Sequence, residues 1–330
     1  MRARMIGLSS LAAALSWGCG ASSFAHLAGL RSAEREPTST WTAAAGADGA
    51  GEGPLRVLPA RLDDLSRGQF TLLTYNVAGL PELFSPSTPR ENIPLVSPLL
   101  NGYDVALVQE DFSYHHELIR ATHHPYRSRP MRPRSFVADG LNQFSRFGCP
   151  ALHRVRWERC NGIVSSATDC LADKGFTFSD VSLAPGVHLH LYNLHADAGS
   201  GRLDIETRSQ NFEQLTRYVA EHSAGQAVIV AGDTNLRTWG NRGDAETLAR
   251  FIDRLGLSDA CALQVTSQEQ IDRVLYRPSS EVELSVPRCW QALEFVDARG
   301  EGLSDHPAIG VSMRWQRVQP EQLMAHRAEP

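Results

Sequence analysis

Six short apolar runs between residues 70 and 315 each stop against, or start from, a residue able to do chemistry. "FTLLTYNV" ends around Asn76, "DVALVQE" closes on Glu110, "VHLHLYNLHAD" on His195 and Asp197, and "QAVIVAGDTN" on Asp233 and Asn235. "IDRVLYRP" opens with Asp272, and "SDHPAIGVSMRW" sets Asp305 and His306 ahead of the last run. Runs this short and this rich in Val, Leu and Ile predict strands, and the alternation in "VHLHLYNLH" is the clearest period of two in the chain. Between them, "ETRSQNFEQLTRYVAEH" predicts a helix with Phe212, Leu215 and Val219 on one face. "AETLARFIDRLG" predicts a second, with Gly256 as its stop. Strands and helices mixed over about 250 residues, with no second break in composition, predict one α/β domain. A parallel sheet and two packed mixed sheets both fit the pattern.

The region before this domain has another character. Arg2 and Arg4 precede an apolar stretch from Ile6 to Trp17, too short for a membrane-spanning helix, so residues 1–19 are expected to be an export signal. The "GC" that follows resembles a bacterial lipoprotein processing site, with Cys19 as the lipidated residue and a possible membrane anchor; bulky Trp17 leaves plain secretion open. The expected location is therefore the outer or cell membrane as a lipoprotein, or the periplasm or medium as a secreted protein. Residues 20–66, with "TAAAGADGAGEGP", lack the apolar content for a core and are expected to be a flexible tether. The catalytic domain is expected over 67–316, with a tail at 317–330.

Export makes the other five cysteines candidates for disulfides. Cys160 with Cys170 would close a short loop and Cys261 with Cys289 a longer one, leaving Cys149 free, one of several connectivities open to five thiols. The chain's formal charge of −5 argues against a general nucleic-acid binder, yet residues 120–159 hold nine arginines against Asp139 and Glu158. Such a stretch is either a solvated surface loop, broken by Pro130 and Pro133, or a landing strip for phosphates on nucleic acid or lipid head groups. His115, His116, His123 and His124 have no cysteines in ligand spacing and are expected to face solvent.

Asn, Glu, Asp and His gathered at strand ends suit an oxygen-ligand metal site with a general base. A phosphodiester's negative charge repels a nucleophile, a hard cation such as Mg²⁺ offsets it, and imidazole titrates near neutral pH. "GDTN" followed downstream by "SDH" resembles the endonuclease/exonuclease/phosphatase superfamily, in order from about residue 70 to 314. That resemblance implies a four-layered α/β sandwich, two packed mixed β-sheets flanked by helices, with the active site at one edge. It implies Glu110 as the direct metal ligand, with Asn76 and Asp305 close to the metal, Mg²⁺ as cofactor, and Mn²⁺ or Ca²⁺ as substitutes. Asp233 would hold the attacking water, Asn235 would bind phosphate, His195 would bind phosphate or donate a proton as a further catalytic residue, and His306 would be the base or a stabiliser of the phosphorane, oriented by Asp272. Asp197 is a candidate helper of His195. No protein partner is implied.

One segment favours a branch. In "DCLADKG", Asp169, Lys174 and Gly175 match a pattern of neutral and bacterial sphingomyelinases, with Ala172 where that pattern has serine. Lys174 would contact phosphate or the head group. Cys160 and Cys170 also sit where secreted bacterial sphingomyelinases have cysteines. The stretch "CWQALEFVDARGEGLSDH" is short, and Trp290 and Phe295 are its only aromatic candidates for membrane insertion, so a lytic toxin is not expected. The expectation is an exported Mg²⁺-dependent phosphodiester hydrolase of sphingomyelinase type. The alternatives are a deoxyribonuclease-like endonuclease and, further off, a non-catalytic surface-binding lipoprotein.

Overall fold

In a computed structural model, the chain is described over residues 42–43, 62–82, 88–162, 169–262 and 270–318. The export signal with Cys19, most of the tether and residues 319–330 lie outside these. The strands in chain order are β1 (Thr42–Ala43), β2 (Leu62–Asp64), β3 (Arg67–Asn76), β4 (Val105–Gln109), β5 (Tyr126–Arg127), β6 (Asn142–Ser145) and β7 (Leu152–Arg156). They continue with β8 (Gly175–Ala184), β9 (Val187–His195), β10 (Val228–Asp233), β11 (Ser258–Asp259), β12 (Asp272–Arg277), β13 (Val282–Gln291) and β14 (Ile309–Arg317). The helices are α1 (Pro89–Leu99), α2 (His115–Ile119), α3 (Arg202–His222) and α4 (Arg242–Leu255).

Two mixed sheets result. One runs β1-β5-β6-β4-β3-β14-β13, with β2 paired to β3; the other runs β11-β12-β10-β9-β8-β7. Each has a single parallel pair, β3 with β4 and β9 with β10, among antiparallel neighbours.

Strand alternation explains the layering. Leu72, Val105, Leu107, Leu191, Ile229, Ala231 and Val311 face one shared core between the sheets. Their neighbours turn outward: Leu73, Tyr75, Ala106 and Val108 pack with Ile93 and Val96 of α1 and Leu118 of α2. On the other side Tyr192, Leu194, Val228 and Val230 pack with Phe212, Leu215 and Val219 of α3 and Leu248 and Phe251 of α4. Helix, sheet, sheet, helix is the expected four-layered sandwich. Gly256 ends α4 in the left-handed region, φ 62°, as its position after the last apolar residue predicts.

Two pieces of the expected tether, β1 and β2, pair with β5 and β3, so composition understates how far the sheet extends toward the N-terminus. The expected solvent-facing histidines divide. His116 and His123 are exposed, but His124 is buried against the Tyr103 carbonyl, 2.9 Å away, and burial holds its pKa down to about 4. His115 is half-buried and its Nδ1 lies 2.5 Å from Asp111 Oδ2. The expectation rests on the lack of cysteines in ligand spacing, which says nothing about packing against Asp111 or Tyr103.

Cys160–Cys170 and Cys261–Cys289 form disulfides, and Cys149 is free and buried. Burial pushes the Cys149 thiol up to about 12, which keeps it inert. Cys261 follows β11 and Cys289 lies in β13, so this bond ties the two sheets together through their shared core. Its sequence separation of 28 residues corresponds to about 3–4 kcal/mol of loop entropy. Replacing both cysteines by serine should cost about that much in urea-unfolding free energy; a change below about 1 kcal/mol would assign the cross-link no stabilising role.

Candidate active site

The same alternation that builds the core delivers the polar residues. Along β3 the inward positions run Leu72, Thr74, Asn76; along β9 they run Leu191, Asn193, His195; along β10, Ile229, Ala231, Asp233. On β12, Asp272 shares the inward face with Val274. The apolar core therefore ends in a polar layer, where Gln109 Nε2 donates to Thr74 Oγ1 at 3.1 Å and to Asn193 Oδ1 at 2.7 Å across the sheets. One pleat further on, the candidate functional residues meet. Register fixes their alignment, because Asp233 pairs directly with His195 on one side and Asp272 on the other. Gly232 permits the close strand approach: a Cβ there would stand 2.1 Å from the Leu194 carbonyl oxygen.

Glu110 needs a different device. Gln109 faces inward, so a continuing strand would send Glu110 to the outer layer. Instead Glu110 adopts φ 57°, a left-handed conformation costing about 1–3 kcal/mol for a non-glycine residue. Backbone bonds hold it there: the Gly79 N–H donates to its carbonyl at 3.0 Å and the Phe112 N–H at 2.8 Å. The kink puts its carboxylate beside Asn76, whose Nδ2 donates to Glu110 Oε1 at 3.0 Å and to Asp233 Oδ2 at 3.1 Å. Asn76 thus bridges carboxylates from the two sheets, while its Oδ1 accepts from the Ala78 N–H.

His195 Nε2 stands 3.4 Å from Asp233 Oδ2 and 3.8 Å from Glu110 Oε1. Burial, with the charges of Lys174 and His306, holds its pKa well below the usual imidazole value, so it is neutral at physiological pH. His306 is opposite in kind. Its Nδ1 is 2.8 Å from Asp272 Oδ2 and its Nε2 is 3.8 Å from Asp233 Oδ2. Burial alone would lower its pKa, but the hydrogen bond and charge of Asp272, with Asp233 and Asp305, raise it to about 10. One protonated and one neutral imidazole therefore flank Asp233.

Lys174 is buried and ion-paired to Asp169. Burial would lower its pKa, yet Asp169, Glu110 and Asp233 together raise it, so it stays charged beside the centre. Asn235, at φ 50°, donates its backbone N–H to Asp233 Oδ1 at 2.9 Å and its Nδ2 to the Ala196 carbonyl at 3.1 Å, braking both loops. Asp305 is exposed and takes a long bond from Ser304 Oγ, 3.4 Å; it acts on His306 and Asp272 through charge. Asp197 lies outside the centre: it accepts from the Asn161 N–H at 2.7 Å, and burial raises its pKa to about 7.

Two supports were not foreseen. Ser304 Oγ donates to the Asn76 carbonyl at 2.7 Å, fixing the loop that carries His306; a serine before an Asp-His pair was the available signal. Arg208 and Asp244 form a buried pair behind the His195 loop, 36 residues apart, with no local pattern to announce it.

Burial raises the pKa of Glu110, Asp233 and Asp272, and that of Asp233 reaches about 6. The positive charges that offset them come from Lys174 and His306, and Lys174 is shared by Asp169. A centre with surplus carboxylate and oxygen donors fits a hard divalent cation. Asp233, Asp272 and His306 also have ligand atoms within 4.8 Å of one another. That trio is less suited as a ligand set, because His306 Nδ1 is already engaged by Asp272 at 2.8 Å.

The family described as Endonuclease/Exonuclease/phosphatase family 2 matches residues 97–274. The chain belongs to that family. It is also similar to a sphingomyelinase of Mycobacterium bovis, 35% identical over 271 residues that cover 74% of this chain and 53% of the relative. The chain spans about half the length of the curated relatives it matches. Among solved structures, sphingomyelinase C from Streptomyces griseocarneus shares the fold of this family member, with a TM-score of 0.55 and 17% identity over 74% of this chain and 99% of the other. A beta toxin variant from Staphylococcus aureus with bound magnesium ions has a TM-score of 0.54 and 16% identity over 74% and 99% of the two chains. The expected fold is thus the observed one.

Proposed function

We propose that the protein is a divalent-metal-dependent phosphodiester hydrolase, with sphingomyelin as the substrate its relatives point to. The observation that carries this is the gathering of two histidines within 4 Å of Asp233 Oδ2, His195 Nε2 at 3.4 Å and His306 Nε2 at 3.8 Å, with Glu110 Oε1 3.8 Å from His195. Glu110 would hold the cation, with Asn76 and Asp305 next to it, and Mg²⁺ is the first ion to test. When bound, the cation supplies charge neutralisation to the phosphodiester.

The chain's own groups divide the remaining work. Asp233, within reach of Asn76, His195 and His306, is placed to hold and polarise a water through its Oδ2. His306 presents Nε2 on the same side, so it can hold a proton toward the phosphate while Asp272 fixes the ring at Nδ1. Neutral His195 can donate from Nε2 to a phosphate oxygen, and Lys174 adds fixed positive charge. Removing water from around these groups strengthens each interaction.

The relatives' name supports sphingomyelin over nucleic acid, and three of the nine arginines in the 120–159 stretch are taken up inside the domain. Arg146, Arg154 and Arg156 are committed to Asp104, Asp139 and Asp173 inside the domain. The two disulfides accord with export, and lipidation at Cys19 remains part of the proposal. No helix among the described residues is long and apolar enough to cross a membrane.

The test is hydrolysis of sphingomyelin vesicles, plasmid DNA and a soluble aryl phosphodiester, each with Mg²⁺ and with EDTA. Turnover should need the metal, and Asp233→Asn should lower it by about 10²–10⁴-fold. Silence on all three with Mg²⁺, Mn²⁺ and Ca²⁺ sinks the enzyme reading, and cleavage of DNA alone moves the protein to the nuclease branch.

A further inference from the structure

Seven large apolar side chains are exposed among the described residues, and five of them, Phe136, Leu203, Trp239, Leu293 and Val296, share one end of the sandwich. Strand register places them there. The C-terminal ends of β4, β9 and β10 carry Gln109, His195 and Asp233 at the catalytic edge. Trp239 lies on the loop after β10, and Leu203 opens α3 after the loop from β9. Leu293 and Val296 lie between β13 and His306. Phe136 lies on the loop before β6, whose first residue, Asn142, pairs with Val108 near the end of β4. That loop also leans on the Lys174 segment, because the Arg134 N–H donates to Asp173 Oδ2 and the Phe136 N–H to the Leu171 carbonyl.

Phe136 is 85% exposed and Trp239 67%. Around them stand exposed Arg129, Arg132, Arg134 and Arg237, and segments 129–136 and 235–241 contain no acidic residue. The third rim loop, 292–303, carries Glu294, Asp297 and Glu301 instead, while its Phe295 is buried and Trp290 stacks on Tyr103. Aromatic tips among arginines with no ion pair among the described residues suit the head-group layer of a bilayer, where the ring enters the apolar boundary and the guanidinium meets phosphate. Exposed Leu203 and Leu293 on the same rim favour lipid over nucleic acid, since aliphatic side chains offer bases nothing to stack on.

We propose that the catalytic edge docks on a phospholipid bilayer through loops 129–136 and 235–241, with Phe136 and Trp239 inserted and Arg129, Arg132, Arg134 and Arg237 seated on lipid phosphates. The proposal rests on the reading of the substrate as a membrane phosphodiester. It turns the charged stretch of the sequence into a docking element rather than a nucleic-acid groove.

The experiment uses the full chain with Cys19→Ala, so that no lipid anchor contributes, and vesicles of phosphatidylcholine and sphingomyelin with or without phosphatidylserine. The Phe136→Ala/Trp239→Ala variant should bind them about tenfold more weakly per aromatic removed, with hydrolysis of the soluble aryl phosphodiester and thermal midpoint unchanged. Replacing Arg129, Arg132 and Arg134 by alanine should remove the salt-sensitive gain from phosphatidylserine. Undiminished vesicle binding by the aromatic variant overturns the proposal, as does binding of an oligonucleotide in place of vesicles. Failure of the enzyme reading would look different: aromatic-dependent vesicle binding with no turnover of the soluble diester.

Discussion

His306→Gln should lower phosphodiester turnover by about 10²–10⁴-fold while leaving the domain folded. Glutamine keeps a hydrogen-bond donor near Asp272 but can neither carry a positive charge nor exchange a proton. The native ring sits between two carboxylates, 2.8 Å from Asp272 and 3.8 Å from Asp233, which hold it protonated to about pH 10. The side chain is 17% exposed and lies in a loop, so its loss opens no core cavity.

A second readout separates a catalytic role from a structural one. The His306 pKa is raised from 6.5 to about 10, so its contribution to stability is fully present below pH 6.5 and fades as pH rises through about 10. In EDTA, the metal-free native protein should lose stability across that window, and His306→Gln should flatten the loss. Parallel stability curves would show that the raised pKa does not operate, and turnover within threefold of native would remove His306 from the chemistry.

The second large effect is on folding. Arg208 has no exposed surface; it donates to both oxygens of Asp244, at 3.0 and 2.9 Å. The same guanidinium donates to the carbonyls of Asp197, Ala198 and Gly199, the segment that continues from His195. Arg208→Met keeps the bulk but leaves Asp244 buried without its counter-charge, a change worth about 3–5 kcal/mol. Unfolding in urea should report that loss. Asp244→Asn should cost less in the Arg208→Met background than alone, because no buried charge then remains to be stranded. Additive losses, or a single-variant cost below about 1 kcal/mol, would show that the pair is not a coupled support.

What the sequence made legible follows from where the signals are local. Val228–Val230 and Leu72–Leu73 announce strands because burial on both faces leaves an unbroken apolar run. The Asp-Asn and Asp-His pairs announce the centre because several of them fall at the ends of apolar runs, where one polar residue alone would mean only a turn. α1 was hidden by Pro94 and Pro98, which argue against a helix interior; its formation depends on packing Ile93 and Val96 onto the sheet, a tertiary gain. β13 was equally hidden: its exposed edge reads Glu283, Ser285 and Arg288, with the apolar face interrupted by a bulge between Ser285 and Arg288. In the centre, residue types were legible but hydrogen-bond direction was not. That Asn76 would turn its nitrogen to both carboxylates, and that Glu110 would reach them through a left-handed kink, depends on neighbours more than thirty residues away.

The centre draws Asn76 and Glu110 from one sheet and its edge, and His195, Asp233 and Asp272 from the other. Neither half contains both a candidate cation ligand and the carboxylate proposed to hold water next to a histidine. The proposed centre is therefore complete only when the two sheets stand face to face across their shared core. A chain that has formed its hairpins but not joined them holds every reactive group and no active site. The proposed activity would then gauge global closure, with a half-folded molecule expected to be chemically silent.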